Sequence, residues 1–95
     1  MIGKIVLVRS RDAGVFFGKL KKKTRDEVLM TDVRRVYYWS GAATLSQLAM
    51  EGVKYPDNCK ITMETKEHHI LGVCEIIPMT KVAIANLAEV KPWVV

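Results

Sequence analysis

The sequence predicts an α+β domain, mainly β: an antiparallel, strongly bent sheet or a small SH3/Sm-like barrel with two short helices. Three observations lead there. Short β-branched and aromatic runs crowd the first forty residues, separated by turn residues close enough for hairpins. Strands and helices do not alternate in the way a parallel sheet requires. Only two segments carry helical start signals, and both are short.

Each element follows from local pattern. Ile5 to Val8 is brief and β-branched, a strand. Asp12-Ala13-Gly14 is turn chemistry. Val15 to Leu20 alternates, with Val15 and Phe17 on one face and Phe16 on the other. After the polar connection Lys21 to Glu27, Glu27 to Asp32 and Val33 to Trp39 read as a third and a fourth strand with a bend near Asp32. The period changes at Ser40-Gly41. Thr44-Leu45-Ser46-Gln47 matches a capping box, Leu45, Leu48 and Ala49 share a helical face, and Gly52 stops the helix. A helix of about two turns is unstable alone and must dock on the sheet. Ile61, Met63 and Thr65 alternate with polar residues as a half-exposed strand, and His69 to Ile77 forms another, ended by Pro78. Thr80 caps a second helix, whose Val82, Ala83, Ala85, Leu87 and Ala88 make a narrow apolar stripe. Pro92 forbids helix in the tail, where Trp93 and the terminal valines suit an edge strand or a packed arm.

At 95 residues the chain is one domain, residues 1–95, with room for a modest core. Hydrophobic residues make up 49% but fall in short runs, none near the roughly 20 that span a bilayer. No signal segment precedes Ile5, so a cytoplasmic, non-membrane location is expected. Cys59 and Cys74 have no Cys-x-x-Cys partner and read as free thiols, Cys74 within the core.

The net charge of +5 is uneven: residues 1–39 hold ten Lys/Arg against four Asp/Glu, and residues 40–95 five against six. A one-sided basic field favours an anionic partner. Nothing indicates catalysis. His68 and His69 are adjacent on a strand and point to opposite faces, so they do not chelate one metal. No nucleophile elbow or phosphate-binding glycine loop is present, and no metal or cofactor is expected.

The densest chemistry lies in Arg34-Arg35-Val36-Tyr37-Tyr38-Trp39-Ser40. On a strand Arg34, Val36 and Tyr38 share one face and Arg35, Tyr37 and Trp39 the other, so either exposed face presents an arginine beside aromatics. Guanidinium forks bind phosphate and flat rings stack on bases. Arg34, Arg35, Tyr38, Trp39 and Ser40 are therefore candidate ligand contacts, with Arg9 and Arg11 from the first strand, Phe16 from the second, and Thr44 at the start of a helix whose free N–H groups favour anions. The alternative is that Tyr37 and Trp39 are core and the arginines solvate an edge.

The strings Arg11 to Gly18, Arg34 to Ala49 and Cys74 to Thr80, with the closing Pro92-Trp93, resemble a family of small phage and prophage proteins. The chain is also similar to the Thoeris anti-defence sponge proteins. That resemblance implies a small, non-enzymatic homo-oligomer with an antiparallel sheet, acting in the infected cell. It would sequester a nucleotide immune signal of the cyclic ADP-ribose type, or a cyclic oligonucleotide. A small-barrel nucleic-acid-binding module using Lys19 to Arg25 as well, and a phage structural or protein-interaction part, are the competing expectations.

Overall fold

The structure is a computed structural model that describes all residues, 1–95. Strands β1 (Ile5–Ser10), β2 (Gly14–Thr24) and β3 (Glu27–Tyr38) form an antiparallel meander, followed by helix α1 (Leu45–Glu51) and a 3-10 turn at Pro56–Asn58. Strands β4 (Lys60–Ile61), β5 (Thr65–Ile70) and β6 (Val73–Pro78) and helix α2 (Lys81–Ala88) complete the chain. β6 pairs with β1, while β4 and β5 run successively along the free edge of β3.

That order forces the bend. A flat sheet would hold β5 and β6 at opposite edges, about 19 Å apart at four strand spacings. Yet only Leu71 and Gly72 connect them, a link that reaches about 11 Å at most. The sheet must curl until its edges meet. Gly72 turns the chain at φ 66°, and Ser10 Oγ donates to the Leu71 carbonyl at 2.7 Å while Val73 N–H donates to Asp26 O at 2.8 Å. Hydrogen bonding is not continued from β5 to β6, so the result is an open, strongly bent sheet rather than a closed barrel.

The two sheet faces carry separate cores. Val6, Val8, Phe16, Leu20, Val28, Met30, Val33 and Ile70 pack together without helix residues. The other face, with Leu7, Phe17, Val36 and Ile61, is covered by Leu48 and Ala49 of α1, Leu87 of α2, and Val53 and Val90. Thr44 caps α1 by accepting from Gln47 N–H, and Thr80 caps α2 by accepting from Ala83 N–H, both at 3.1 Å.

Several expectations need correction. The third and fourth strands are one: Asp32, at φ 53°, forms a bulge that bends β3 without ending it. The strand expected through Ile61, Met63 and Thr65 is interrupted: β4 ends at Ile61, Thr62 N–H still donates to Arg35 O at 3.0 Å, and regular pairing with β3 resumes at Thr65. Gly72 divides the longer strand expected from His69 onward. Cys74 is exposed, because its side chain points outward from an edge strand. In α2 only Ala83 and Leu87 are buried, while Val82, Ala85 and Ala88 face outward, since the helix rests on the sheet along a single line of contact.

Candidate functional site

The adjacent arginines have opposite fates because strand neighbours face opposite ways. Arg34 stands on the helix-covered face and is 7% exposed. Its Nε donates to Thr62 O at 2.8 Å, its Nη1 to Leu87 O at 3.1 Å, and its Nη2 to Val90 O at 2.8 Å and Ile61 O at 3.4 Å. Burial lowers the guanidinium from its ordinary range, an effect Glu64 partly offsets. A fork so engaged is not available to a ligand phosphate, which corrects the expectation for Arg34. It ties the end of α2 and the tail to the sheet.

Arg35 is exposed on the other face. Its Cζ lies 4.7 Å from the centroid of the buried Phe16 ring, its cross-strand neighbour. The His68 ring packs on the same phenyl at 5.1 Å, tilted 57°. Burial, and then the Arg35 charge, make His68 harder to protonate than a free imidazole. Beside this group a cleft of about 390 Å³ opens between the β1–β2 turn and the β5–β6 turn, with Asp12, Gly72 and His69 on its walls.

Two residues along the same face of β3 stands Tyr37, about 7 Å from Arg35. Its ring stacks on Trp93 with centroids 5.0 Å apart and planes at 21°. The tail is held for this contact, since Trp93 N–H donates to Ile61 O at 2.8 Å and Pro92 lies against Ile61 as a parallel bridge. Lys60 Nζ sits 5.2 Å from the Trp93 centroid. Tyr37 is 63% and Trp93 47% exposed, so the ring pair is an outward platform with Lys60 beside Trp93.

The other predicted contacts are dispersed. Arg9 is exposed in register with Val15 and Glu75, on the opposite sheet face from Arg35. Arg11 donates its backbone N–H to Gly72 O at the rim of the cleft. Tyr38 is exposed at the register shift between β3 and β4 and does not line the Arg35 cleft. Trp39 packs on the helix-side core and donates Nε1–H to Ala42 O at 3.2 Å. Ser40 N–H donates to Cys59 Sγ. Thr44 and Gln47 satisfy the start of α1, with Ala43 N–H donating to Gln47 Oε1 at 2.8 Å. In a helix of seven residues this leaves no anion site. Only Arg35 and Phe16, with Arg11 at the margin, come together.

Residues 3–87 match the family described as a domain of unknown function, DUF6948. The chain belongs to that family. No curated protein and no solved structure matches it. The family match spans Phe16, Arg35, Tyr37, Lys60 and His68 and stops short of Trp93. Sequence reasoning singled out Tyr38 and Trp39 as the aromatic contacts, whereas the exposed stacked pair is Tyr37 and Trp93. The alternation along β3 already placed Tyr37 with Arg35, but pairing with a tail 56 positions away has no local signal. No group of three or more His, Cys, Asp or Glu side chains lies close enough to hold a metal, and no helix is long and apolar enough to cross a membrane.

Proposed function

We propose that the protein is a non-catalytic binding module for nucleotides, taking bases on the Tyr37–Trp93 platform and phosphates at Arg35 and Lys60. The observation that carries this reading is the ring pair itself. Two stacked, half-exposed aromatics anchored by a backbone bond, with Lys60 beside Trp93, have little reason to face water on stability grounds alone. Sheet-borne rings beside cations are a recurring means of holding single strands.

The platform is open, which favours an extended single strand over an enclosed small molecule. The basic run supports the same choice. Lys23 pairs with Val28, at the far end of β3 from Tyr37, on the order of 30 Å along the strand. One small ligand does not reach both; a polymer does. The test is fluorescence titration with short single-stranded oligonucleotides at two salt concentrations. Tyr37→Ala and Trp93→Ala each weaken binding by roughly 5- to 150-fold, the range of about 1–3 kcal/mol per stacked base. Replacing Lys21, Lys22 and Lys23 by Gln flattens the salt dependence. Binding untouched by loss of either ring overturns this reading.

A second reading rests on the cleft of about 390 Å³ beside Arg35, within the size range of small-ligand sites. There the protein is a cytoplasmic sponge for a compact signal nucleotide, as its resemblance to the Thoeris anti-defence proteins implies. A second protomer supplies the missing walls, and phage-encoded protein removes the signal by stoichiometric binding. Calorimetry with cyclic ADP-ribose and cyclic oligonucleotides decides it: tight, weakly salt-dependent binding with unaltered ligand recovered supports the sponge, and absence of heat removes it.

A further inference from the structure

The cleft beside Arg35 has a donor arrangement of its own. Arg35 is held over the Phe16 face, so its guanidinium is oriented before any ligand arrives. His68 borders the same cleft from β5. Its Nδ1 lies 2.9 Å from Thr65 Oγ1, and that hydroxyl gives its one proton to Val33 O at 3.3 Å. In the Nδ1–H tautomer, which this pairing accommodates, the hydroxyl accepts from His68. Nε2 has no hydrogen-bond partner within the protein and in that tautomer carries the lone pair. Taking up a proton turns Nε2 into a second cationic donor on the cleft that Arg35 lines.

We propose that this cleft binds a tetrahedral oxyanion, the terminal phosphate of a nucleotide, with Arg35 as the standing donor and His68 as a donor that appears on protonation. The proposal rests on the nucleotide reading above and adds to it a preference for a phosphorylated chain end. Binding takes up one proton at His68 Nε2, and affinity rises as pH falls.

The neighbouring charges set the sign. Arg35, on β3, opposes protonation of His68 in the free protein, and an anion between the two reverses that effect. Asp12, in the β1–β2 turn, borders the cleft and repels an anion. On β5 itself, the His69 ring lies 3.0 Å from Glu27, and Glu67 lies 3.9 Å from Lys21 of β2, so both carboxylates already face cationic or donor groups. Asp12 is the remaining acid on the cleft, and Asp12→Asn strengthens anion binding.

Sulfate is the first probe, because its charge is constant where a phosphate monoester titrates. The histidine ring protons of the full chain are followed by NMR across pH with and without sulfate, His69→Gln giving the assignment. His68 is expected to titrate about one unit higher in sulfate, equivalent by linkage to about tenfold tighter binding by the protonated form. Arg35→Gln abolishes that displacement. Oligonucleotides with a 5′-phosphate bind more tightly than unphosphorylated ones, increasingly so at acid pH. His68→Gln removes the pH dependence of this preference while leaving the unphosphorylated strand bound. A His68 titration indifferent to sulfate, in protein that still binds oligonucleotides, overturns the anion site and leaves the platform standing. Displacement by sulfate without any oligonucleotide binding overturns the platform instead.

Discussion

Replacing Arg34 by methionine separates an internal brace from a ligand contact. Methionine approximates the length of the side chain but donates nothing. Four carbonyls lose a donor. Two keep another: Ile61 O still accepts from Trp93 N–H, and Leu87 O from Val90 N–H. Thr62 O and Val90 O take no other donor, so two acceptors are orphaned. At about 1–3 kcal/mol for each orphaned group, less the desolvation no longer imposed on a buried guanidinium, the net loss is about 3 kcal/mol. In a domain of this size that lowers Tm by about 12–24 °C. Urea unfolding gives the free energy, and an unchanged m-value confirms that the native and unfolded states are otherwise alike. Arg34→Lys keeps the charge but not the fork, and recovers only part of the loss. A cost below about 1 kcal/mol, or ligand binding lost from a variant of undiminished stability, refutes the assignment of Arg34 to the core.

Two further outcomes follow from the same geometry. Gly52 ends α1 at φ 79°, and a Cβ there would run into Asn86, whose side chain accepts from Val53 N–H at 2.8 Å and donates to Val53 O at 3.0 Å. Gly52→Ala therefore combines left-handed strain with loss of the α1–α2 tie, and costs about 2–4 kcal/mol by urea unfolding. The lowered pKa of His68, caused first by burial and then by Arg35, makes the folded protein bind a proton less readily than the unfolded chain. Its contribution to stability is present above the unfolded value of about 6.5 and is lost as pH falls through the lowered folded value. Urea midpoints at neutral and mildly acid pH should fall further for the wild type than for His68→Gln, and equal falls would show that His68 is not responsible.

How much of this was legible in the sequence depended on whether the signal was local. Both helices announce themselves through Thr-led caps, and the hairpins of the first three strands follow from turn residues and alternation. The bend near Asp32 was legible, but not that pairing with β2 runs through it as one strand, because a non-glycine residue in the left-handed region is uncommon and a bulge has no local signal of its own. Cys74 misled because an apolar run implies burial only where both faces of a strand are covered, and β6 is an edge. For the site, alternation showed that one arginine of the pair would face inward. Which one depends on where the helices land, and that is a tertiary fact. Phe16 and Arg35 were both named from sequence, and their pairing depends on the register between β2 and β3.

The buried arginine and the exposed platform are connected, and the link runs through Ile61. Its carbonyl accepts from Arg34 Nη2 on one side and from Trp93 N–H on the other. Arg34 also holds Val90 O, three residues before Trp93. The tail has no regular element after α2 to fix its course, and Pro92 removes one backbone donor that might have done so. Its direction is set by Arg34, by the Trp93–Ile61 bond and by ring contact with Tyr37. Arg34 is therefore a positioning residue for the platform. Arg34→Met should widen the distribution of Trp93 orientations as well as lower stability, whereas Gly52→Ala, at the α1–α2 junction, should lower stability alone. Fluorescence anisotropy of Trp93 in a Trp39→Phe background, measured well below the unfolding transition, distinguishes the two. Equal Trp93 mobility in both variants would mean that stacking on Tyr37 is sufficient to hold the tail.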